Sequence, residues 1–209
     1  MYDRDAQPPP GLNRARREAR DASELLGVIR GVLADGQVVD REIEFLGRWL
    51  LTNQEFAAAW PFDCLVHRIG DVLRDGRIDE SERASLHEIM QEIVGHPSPD
   101  YFVNTPATLP LTKPAPNIIF PGNEFVLTGK FAFGPRKLCE SEMRSRGATC
   151  CGYVTKRTNY LVIGGMSSRD WLYSTHGRKI EDAIENVECG LPTAIVSEQH
   201  WVGSIRLEP

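Results

Sequence analysis

The sequence predicts two domains, an N-terminal all-α helical bundle and a C-terminal α/β domain with a parallel sheet. Three observations lead to this fold class. A helix–Asp-Gly turn–helix unit occurs twice within residues 22–94, and a proline-rich segment follows it. Beyond residue 117, apolar strand-like runs alternate with amphipathic helical segments. The predicted organisation is a disordered tail at 1–13, a helical domain at 14–95, a linker at 96–117 and an α/β domain at 118–207.

Composition and charge restrict the class of protein. The chain has 209 residues, of which 41% are hydrophobic and 25% charged, as in ordinary soluble globular proteins. Its formal net charge of −5 argues against a protein that coats nucleic acid through a general basic surface. Residues 1–116 hold 13 Lys and Arg against 19 Asp and Glu, whereas residues 117–209 hold 11 against 10. Any phosphate recognition is therefore expected to be local and to belong to the second half.

The sequence predicts neither membrane contact nor a cysteine-based site. No apolar run approaches the roughly 18–20 residues of a membrane span, and residues 1–10 are polar and proline-rich, unlike a signal peptide. We therefore expect a cytoplasmic protein. The five cysteines are odd in number and lack Cys-x-x-Cys or Cys/His ligand spacing, which indicates reduced thiols rather than disulfides or a zinc site.

An internal repeat at an offset of 40 residues organises the N-terminal half. Residues 33–38 (LADGQV) return as residues 73–78 (LRDGRI), and each copy predicts a helix, an Asp-Gly turn and a second helix. Asp40 or Asp79 is well placed to cap the helix after the turn. Two such hairpins, packed through their apolar stripes, predict a bundle of four or five helices.

The second copy of the repeat has some features of a calcium loop, but its ligand set is incomplete. With Asp71 as position one, Gly76 and Glu82 fall at positions six and twelve, as an EF-hand requires. Position three is Leu73, an apolar side chain in place of an oxygen ligand, so we predict no metal site. Through its Asp-Gly motifs this half resembles helical tellurite-resistance (TerB-like) domains, a resemblance that implies no chemistry.

The elements of the C-terminal half follow a linker. Six prolines between residues 95 and 117 predict extended chain, because proline at this density forbids helices and sheet ladders. Strands separated by helical crossovers then indicate a parallel sheet covered on both faces. The predicted order is strand 124–128, helix 135–146, strand 148–153, strand 159–163, helix 179–187, strand 193–196 and a last helix capped by Ser197 that turns Trp201 inward.

Several short motifs in this half occur in the order typical of one domain family. Thr128-Gly129 ends the first strand, Gly147-Ala148 follows the first helix, Thr158 precedes the third strand and Trp201 lies in the last helix. Through these motifs the half resembles a BRCT domain of the type found in bacterial NAD-dependent DNA ligases and in the large subunit of eukaryotic replication factor C. The resemblance implies a four-stranded parallel sheet flanked by three helices, and a pocket for a phosphate.

The predicted phosphate site consists of Thr128, Gly129, Arg136 and Lys179. Thr128 supplies a hydroxyl donor at the end of a strand, and Gly129 lets its backbone N–H approach an anion without a Cβ in the way. Arg136, in the first turn of the first helix, offers a planar fork suited to phosphate oxygens. The resemblance implies a third partner, a lysine that opens the second helix, and Lys179 stands there.

Other side chains near these four are predicted as auxiliary nucleic-acid contacts. Most belong to an insert at 164–177, which either contacts nucleic acid or packs its own aromatic side chains. The candidates are Lys130, Arg169, Trp171, Tyr173, His176 and Arg178.

The sequence predicts a binding protein rather than an enzyme. It has no K-x-D-G adenylation motif, no phosphate-cradling glycine loop and no nucleophile elbow, so we expect no catalytic residue and no cofactor. The replication factor C domain of this type binds a 5′-phosphorylated duplex end, so the resemblance implies a DNA end or nick as ligand, in replication or repair. The alternatives are a phosphopeptide and a phosphate-independent protein partner, and the helical half is a candidate surface for recruiting a protein.

Overall fold

The structure, a computed structural model, describes residues 10–53, 60–74, 76–95, 109–166 and 175–207, with side chains described throughout except at 10–19, 175 and 176. These residues form seven helices and a four-stranded sheet. None of the described helices is both long and apolar enough to cross a membrane. The helices are α1 Pro10–Val32, α2 Asp40–Thr52, α3 Phe62–Val72, α4 Glu80–Val94, α5 Arg136–Ser145, α6 Thr175–Glu188 and α7 Glu198–Leu207. The strands are β1 Glu124–Thr128, β2 Thr149–Cys151, β3 Tyr160–Ile163 and β4 Ala194–Ser197.

The N-terminal half forms two successive helix pairs, α1–α2 and α3–α4. The turn within each pair contains a glycine at positive φ, Gly36 at 76° and Gly76 at 71°, a conformation that a Cβ disfavours. α1 begins at Pro10, inside the segment 1–13 that we predicted as a tail, and residues 1–9 and Asp75 lie outside the described part. The interpretations as a repeat and as a TerB-like domain stay predictions.

Asp79 caps its helix, whereas Asp40 does not. The Asp79 carboxylate accepts a hydrogen bond from the Glu82 N–H at 2.8 Å, and the Glu82 carboxylate accepts one from the Asp79 N–H at 3.0 Å, which together form a capping box. In α2 the N-cap is Val39, and Asp40 is the first helical residue. Asp40 instead forms an ion pair with Arg83 at 2.7 Å, and Arg83 also donates to the carbonyl oxygen of Val38 at 2.8 Å. Arg83 thus ties the two helix pairs together.

The sheet has the strand order β2-β1-β3-β4 with every pair parallel, as the alternation of strands and helices predicted. β1 coincides with the predicted range 124–128, but β2 is shorter than the predicted 148–153. It is an edge strand that pairs with β1 over three residues, and Gly152 and Tyr153 beyond it are exposed. The helix predicted at 179–187 begins at Thr175, because residues 175–178 lack the apolar spacing on which the prediction relied.

Alternating side chains of the central strands bury both faces of the sheet. Phe125 and Leu127 of β1 belong to one apolar cluster, which also contains Tyr160, Val162 and Trp201. Val126 points to the opposite face and packs with Leu161 and Ile195 in a second cluster. Helix α6 covers this second face with Ile180 and Ala183. Coverage of both faces, predicted from the strand–helix alternation, is confirmed among the described residues.

The two halves of the chain share a buried core. The cluster on the Phe125 face continues into the helical half, where it includes Leu25, Leu46, Leu65 and Ile89. Ion pairs at the surface also join the halves: Lys130 contacts Glu92 at 2.6 Å, and Arg206 contacts Asp63 at 2.6 Å. The halves therefore pack against each other, and their folding as separate domains stays a prediction.

Trp201 provides a test of the shared core. Its ring is fully buried and meets Phe131 and Phe133 edge-on, at centroid distances of 6.2 and 5.2 Å. We expect Trp201→Ala to lower the free energy of unfolding by about 3–5 kcal/mol, because it leaves a large cavity. Leu207→Ala, in the same helix at 84% exposure, should change it by less than about 0.5 kcal/mol. Chemical denaturation of both variants measures the difference, and equal losses would contradict the burial of Trp201.

Candidate phosphate-binding site

The candidate site lies at the carboxyl end of β1, in the middle of the sheet. Thr128 is the last residue of β1, and residues 129–135 connect it to α5, which begins with Arg136. β1 is flanked by β2 and β3, and the chain beyond β3 leads to α6. Open parallel sheets bind ligands at this edge, where loops and helix starts meet.

Arg136 and Lys179 converge on one oxygen atom. Nη1 of Arg136 donates to the carbonyl oxygen of Leu127 at 2.9 Å, and Nζ of Lys179 donates to the same oxygen at 3.1 Å. The other arm of the guanidinium, Nη2, reaches the carbonyl oxygen of Gly129 at 3.2 Å. Two side chains 43 positions apart in the sequence thus meet at the position predicted for a phosphate.

The two cations lie close enough together for the charge of one to affect the ionisation of the other. Lys179 is half-buried, and this burial lowers its pKa below the usual range. The charge of Arg136 lowers the pKa of Lys179 further, since two nearby cations disfavour each other's charged form. The nearby carboxylate of Glu140 acts in the opposite direction and raises the pKa of Lys179. An anion between the two cations would likewise offset their repulsion.

Two of the four predicted residues differ from expectation in their placement. Lys179 does not open α6 but is its fifth residue, one turn beyond the start at Thr175. Its long side chain nevertheless reaches Leu127. Thr128 is buried with 1% of its surface exposed, so its hydroxyl is not open to solvent in this structure. Gly129 has φ of 84°, which agrees with the need for a glycine at this position.

Two of the six auxiliary candidates have described side chains, and the side chains of the other four lie outside the described residues. Lys130 is 62% exposed and forms the ion pair with Glu92 of the helical half. Arg178 is exposed on α6. Arg169, Trp171, Tyr173 and the side chain of His176 lie outside the described residues.

Glu198, which the sequence analysis did not single out, holds the loops around the site. Its Oε1 accepts a hydrogen bond from the Phe133 N–H at 2.7 Å, in the β1–α5 loop. Its Oε2 accepts one from the Gly165 N–H at 2.6 Å, just after β3. The available signal was its place at the first position of α7, where the helix dipole favours a carboxylate.

Burial dominates the ionisation of Glu198. The side chain is fully buried, and desolvation raises its pKa from the usual 4.5 to about 7. The N–H groups of Gly165 and Phe133 act in the opposite direction, because they stabilise the carboxylate. The nearby charge of Asp63 adds to the increase. Glu198, the side chain that links the two loops, therefore has a large desolvation cost when it is ionised.

Gly164 lets the chain after β3 pass directly against the β1–α5 loop. A Cβ at Gly164 would lie 2.1 Å from the carbonyl oxygen of Lys130. The Met166 N–H donates to that same oxygen at 3.0 Å, and the Gly164 N–H donates to Thr128 at 2.9 Å. Backbone contacts with the chain after β3 therefore fix the β1–α5 loop next to the cations.

The described residues offer no cluster suited to a metal ion, and two of their thiols are deeply buried. No three His, Cys, Asp or Glu side chains among them come together to hold a metal ion. Burial raises the pKa values of the Cys64 and Cys139 thiols far above their usual range, so both stay protonated. What the site can do is hold an anion between a guanidinium and an ammonium group.

Comparison with known proteins gives a short local similarity. No protein-family model matches the chain. A segment of 48 residues, 23% of the chain, is 48% identical to a DNA ligase from one strain of Dehalococcoides mccartyi. A segment of the same length is 46% identical to a DNA ligase from a second strain. The similarity spans 7% of the length of either ligase, and it is consistent with the ligase-type resemblance of the sequence motifs.

The close approach at Gly164 predicts that its smallest substitution is harmful. In Gly164→Ala the new methyl group must displace the backbone at Lys130, so we expect a loss of roughly 1–3 kcal/mol in the free energy of unfolding. Gly203→Ala is the matched control, because a Cβ there meets nothing within 4 Å. In the interior of α7 it should gain about 0.5–1 kcal/mol. Urea denaturation compares the two, and a Gly164→Ala protein as stable as the wild type would contradict the backbone contact.

Glu198 predicts a pH-dependent contribution to stability. Because its pKa in the folded state, about 7, is above the 4.5 of the unfolded chain, protonation favours the folded state. The contribution is full below pH 4.5 and is lost as the pH rises through 7. Relative to Glu198→Gln, the wild type should gain about 2 kcal/mol of unfolding free energy between pH 8 and about pH 5.5. Denaturation across this range measures the gain, and a constant difference between the two proteins would show that Glu198 does not titrate there.

Proposed function

We propose that this chain is a non-catalytic, BRCT-like adaptor that recognises a phosphate group, with a 5′-phosphorylated DNA end or nick as its ligand. The convergence of Arg136 and Lys179 on the carbonyl oxygen of Leu127, at 2.9 and 3.1 Å, carries this proposal. It puts a planar fork and a point charge at the end of a central strand, next to Gly129, which has a positive φ.

A phosphate satisfies these two cations better than the carbonyl oxygen does. A neutral oxygen cannot compensate two positive charges, whereas phosphate oxygens form charge-assisted hydrogen bonds about twice as strong as neutral ones. Binding would also restore the pKa of Lys179, which burial and Arg136 hold below its usual range. The N–H of Gly129 is a further candidate donor to the anion.

The local character of the positive charge favours a terminal phosphate. A protein that tracks along DNA neutralises many phosphates through an extended basic surface. This chain has a net charge of −5, and its second half holds 11 basic against 10 acidic residues. A terminal phosphate monoester carries up to two charges on one group, so a small cationic site can select it.

The resemblance and the comparison support DNA as the carrier of the phosphate. The motifs resemble those of BRCT domains in ligases and replication factor C, and the parallel four-stranded sheet is compatible with that fold. Part of the chain is similar to DNA ligases. We therefore place the adaptor in DNA replication or repair, with the helical half as the surface that recruits a protein.

A paired binding measurement tests the proposal. Fluorescence anisotropy compares duplexes that differ in a single 5′ phosphate, with wild-type protein and with Arg136→Ala and Lys179→Ala. The wild type should prefer the phosphorylated end, and each variant should lose about 10–100-fold of that preference, the value of a charged hydrogen bond. Lys137→Ala is the control, because Lys137 is the exposed neighbour of Arg136 on the same helix.

The outcomes separate the candidate ligands. Equal affinity of the wild type for both duplexes contradicts recognition of a DNA end. Preference for a phosphoserine peptide over the phosphorylated duplex would assign the phosphate to a protein partner. For one phosphate group, the logarithm of affinity should fall with a slope of about −1 to −2 against the logarithm of salt concentration. A much steeper slope would indicate an extended DNA interface instead.

A further inference from the structure

The helical half contributes one wall of a cavity beside the candidate site. This cavity of about 140 Å³ lies between α4 and the β1–α5 loop. Glu88, Ile89 and Glu92 line it from α4. The opposite wall contains Gly129, Lys130 and Arg136, which include two residues of the predicted phosphate site. Any anion that approaches these residues through the cavity must pass the carboxylates of α4.

An apolar contact holds α4 in this position. Ile89 is 2% exposed and belongs to the cluster shared by both halves. Its Cδ1 lies 3.7 Å from the place where a Cβ on Gly134 would stand. Because Glu88 and Glu92 flank Ile89 in the same helix, the burial of Ile89 directs that part of α4 toward the loop.

Glu92 already forms an ion pair with a cation of the β1–α5 loop. Its Oε2 lies 2.6 Å from Nζ of Lys130. Lys130 is 62% exposed, so a ligand anion could reach it if Glu92 were absent. Glu88 is exposed and lines the same cavity. At physiological ionic strength charges act over about 8 Å, so both carboxylates repel an anion inside so small a cavity.

We propose that α4 is an acidic gate in which Glu92 competes with the ligand phosphate for Lys130. This inference rests on the proposed function, since it concerns the same site. In the structure Glu92 neutralises Lys130, and the ligand must displace this carboxylate to gain that contact. Linkage makes the effect reciprocal: a phosphate that binds at Lys130 weakens the ion pair joining Glu92 to the loop, and loss of that ion pair strengthens phosphate binding.

Inorganic phosphate is the probe that isolates the gate. We expect Glu92→Gln to bind it about two- to fivefold more tightly than the wild type, the range for an exposed ion pair. Titration followed by NMR at the amide of Gly129 reports binding at the loop itself. Glu44→Gln is the matched control, because it removes the same charge from an exposed position in the groove between α2 and α3. Equal affinity of Glu92→Gln and Glu44→Gln would overturn the proposal.

The double variant separates competition from general repulsion. In a Lys130→Ala background, Glu92→Gln should add a clearly smaller gain in phosphate affinity, because the contested cation is gone and only the repulsion by the Glu92 charge is removed. The same gain in both backgrounds would mean that Glu92 acts only through its long-range charge, and would overturn competition for Lys130. All these substitutions are at partly or fully exposed positions, so the proteins are expected to fold.

The gate and the proposed function fail in different ways. If the wild type prefers a 5′-phosphorylated duplex but Glu92→Gln binds inorganic phosphate no better, the gate is wrong and the function stands. If the wild type does not distinguish the two duplexes but Glu92→Gln binds inorganic phosphate more tightly, the gate stands as a property of an anion site whose ligand is not a DNA end.

Discussion

The two hydrogen bonds accepted by the buried Glu198 carboxylate hold the functional edge of the sheet together. One oxygen fixes the β1–α5 loop through Phe133, and the other fixes the chain after β3 through Gly165. Gly164 then permits the close passage of these two segments, and the position of Lys130 follows from it. The Glu198 carboxylate thus holds the two chain segments that lie next to the cations, in keeping with the general need of binding sites for rigid surroundings.

Electrostatics in this chain act over short distances and across the two halves. A chain with a net negative charge places two cations on one carbonyl oxygen, where their charges repel each other. The excess of acid lies in the helical half, which packs against the same loop and pairs its Glu92 with Lys130. The acidic half therefore lies beside the two cations for which we propose a phosphate ligand.

Short sequence patterns predicted the ends of those elements that depend only on neighbouring residues. The apolar run before Thr128 set the bounds of β1, and Gly134-Pro135 marked the start of α5, so Arg136 was placed in its first turn. The start of α6 was predicted four residues late, because residues 175–178 lack an apolar stripe. Contacts between distant segments left no comparable signal. The partner of Lys130 lies 38 residues earlier in the chain, and an acidic residue such as Glu198 is expected at the surface unless its partners are known.

The burial of Ile89 against the loop has a consequence for dissecting the molecule. A cut within the proline-rich segment would respect the boundary suggested by composition, but it would remove the apolar cover from Gly134 and leave Lys130 without Glu92. The C-terminal fragment would then carry both a newly exposed hydrophobic patch and a more positive loop. Its affinity for anions and its tendency to self-associate would then differ from those of the 209-residue chain. Binding is therefore best measured on the chain that contains both halves.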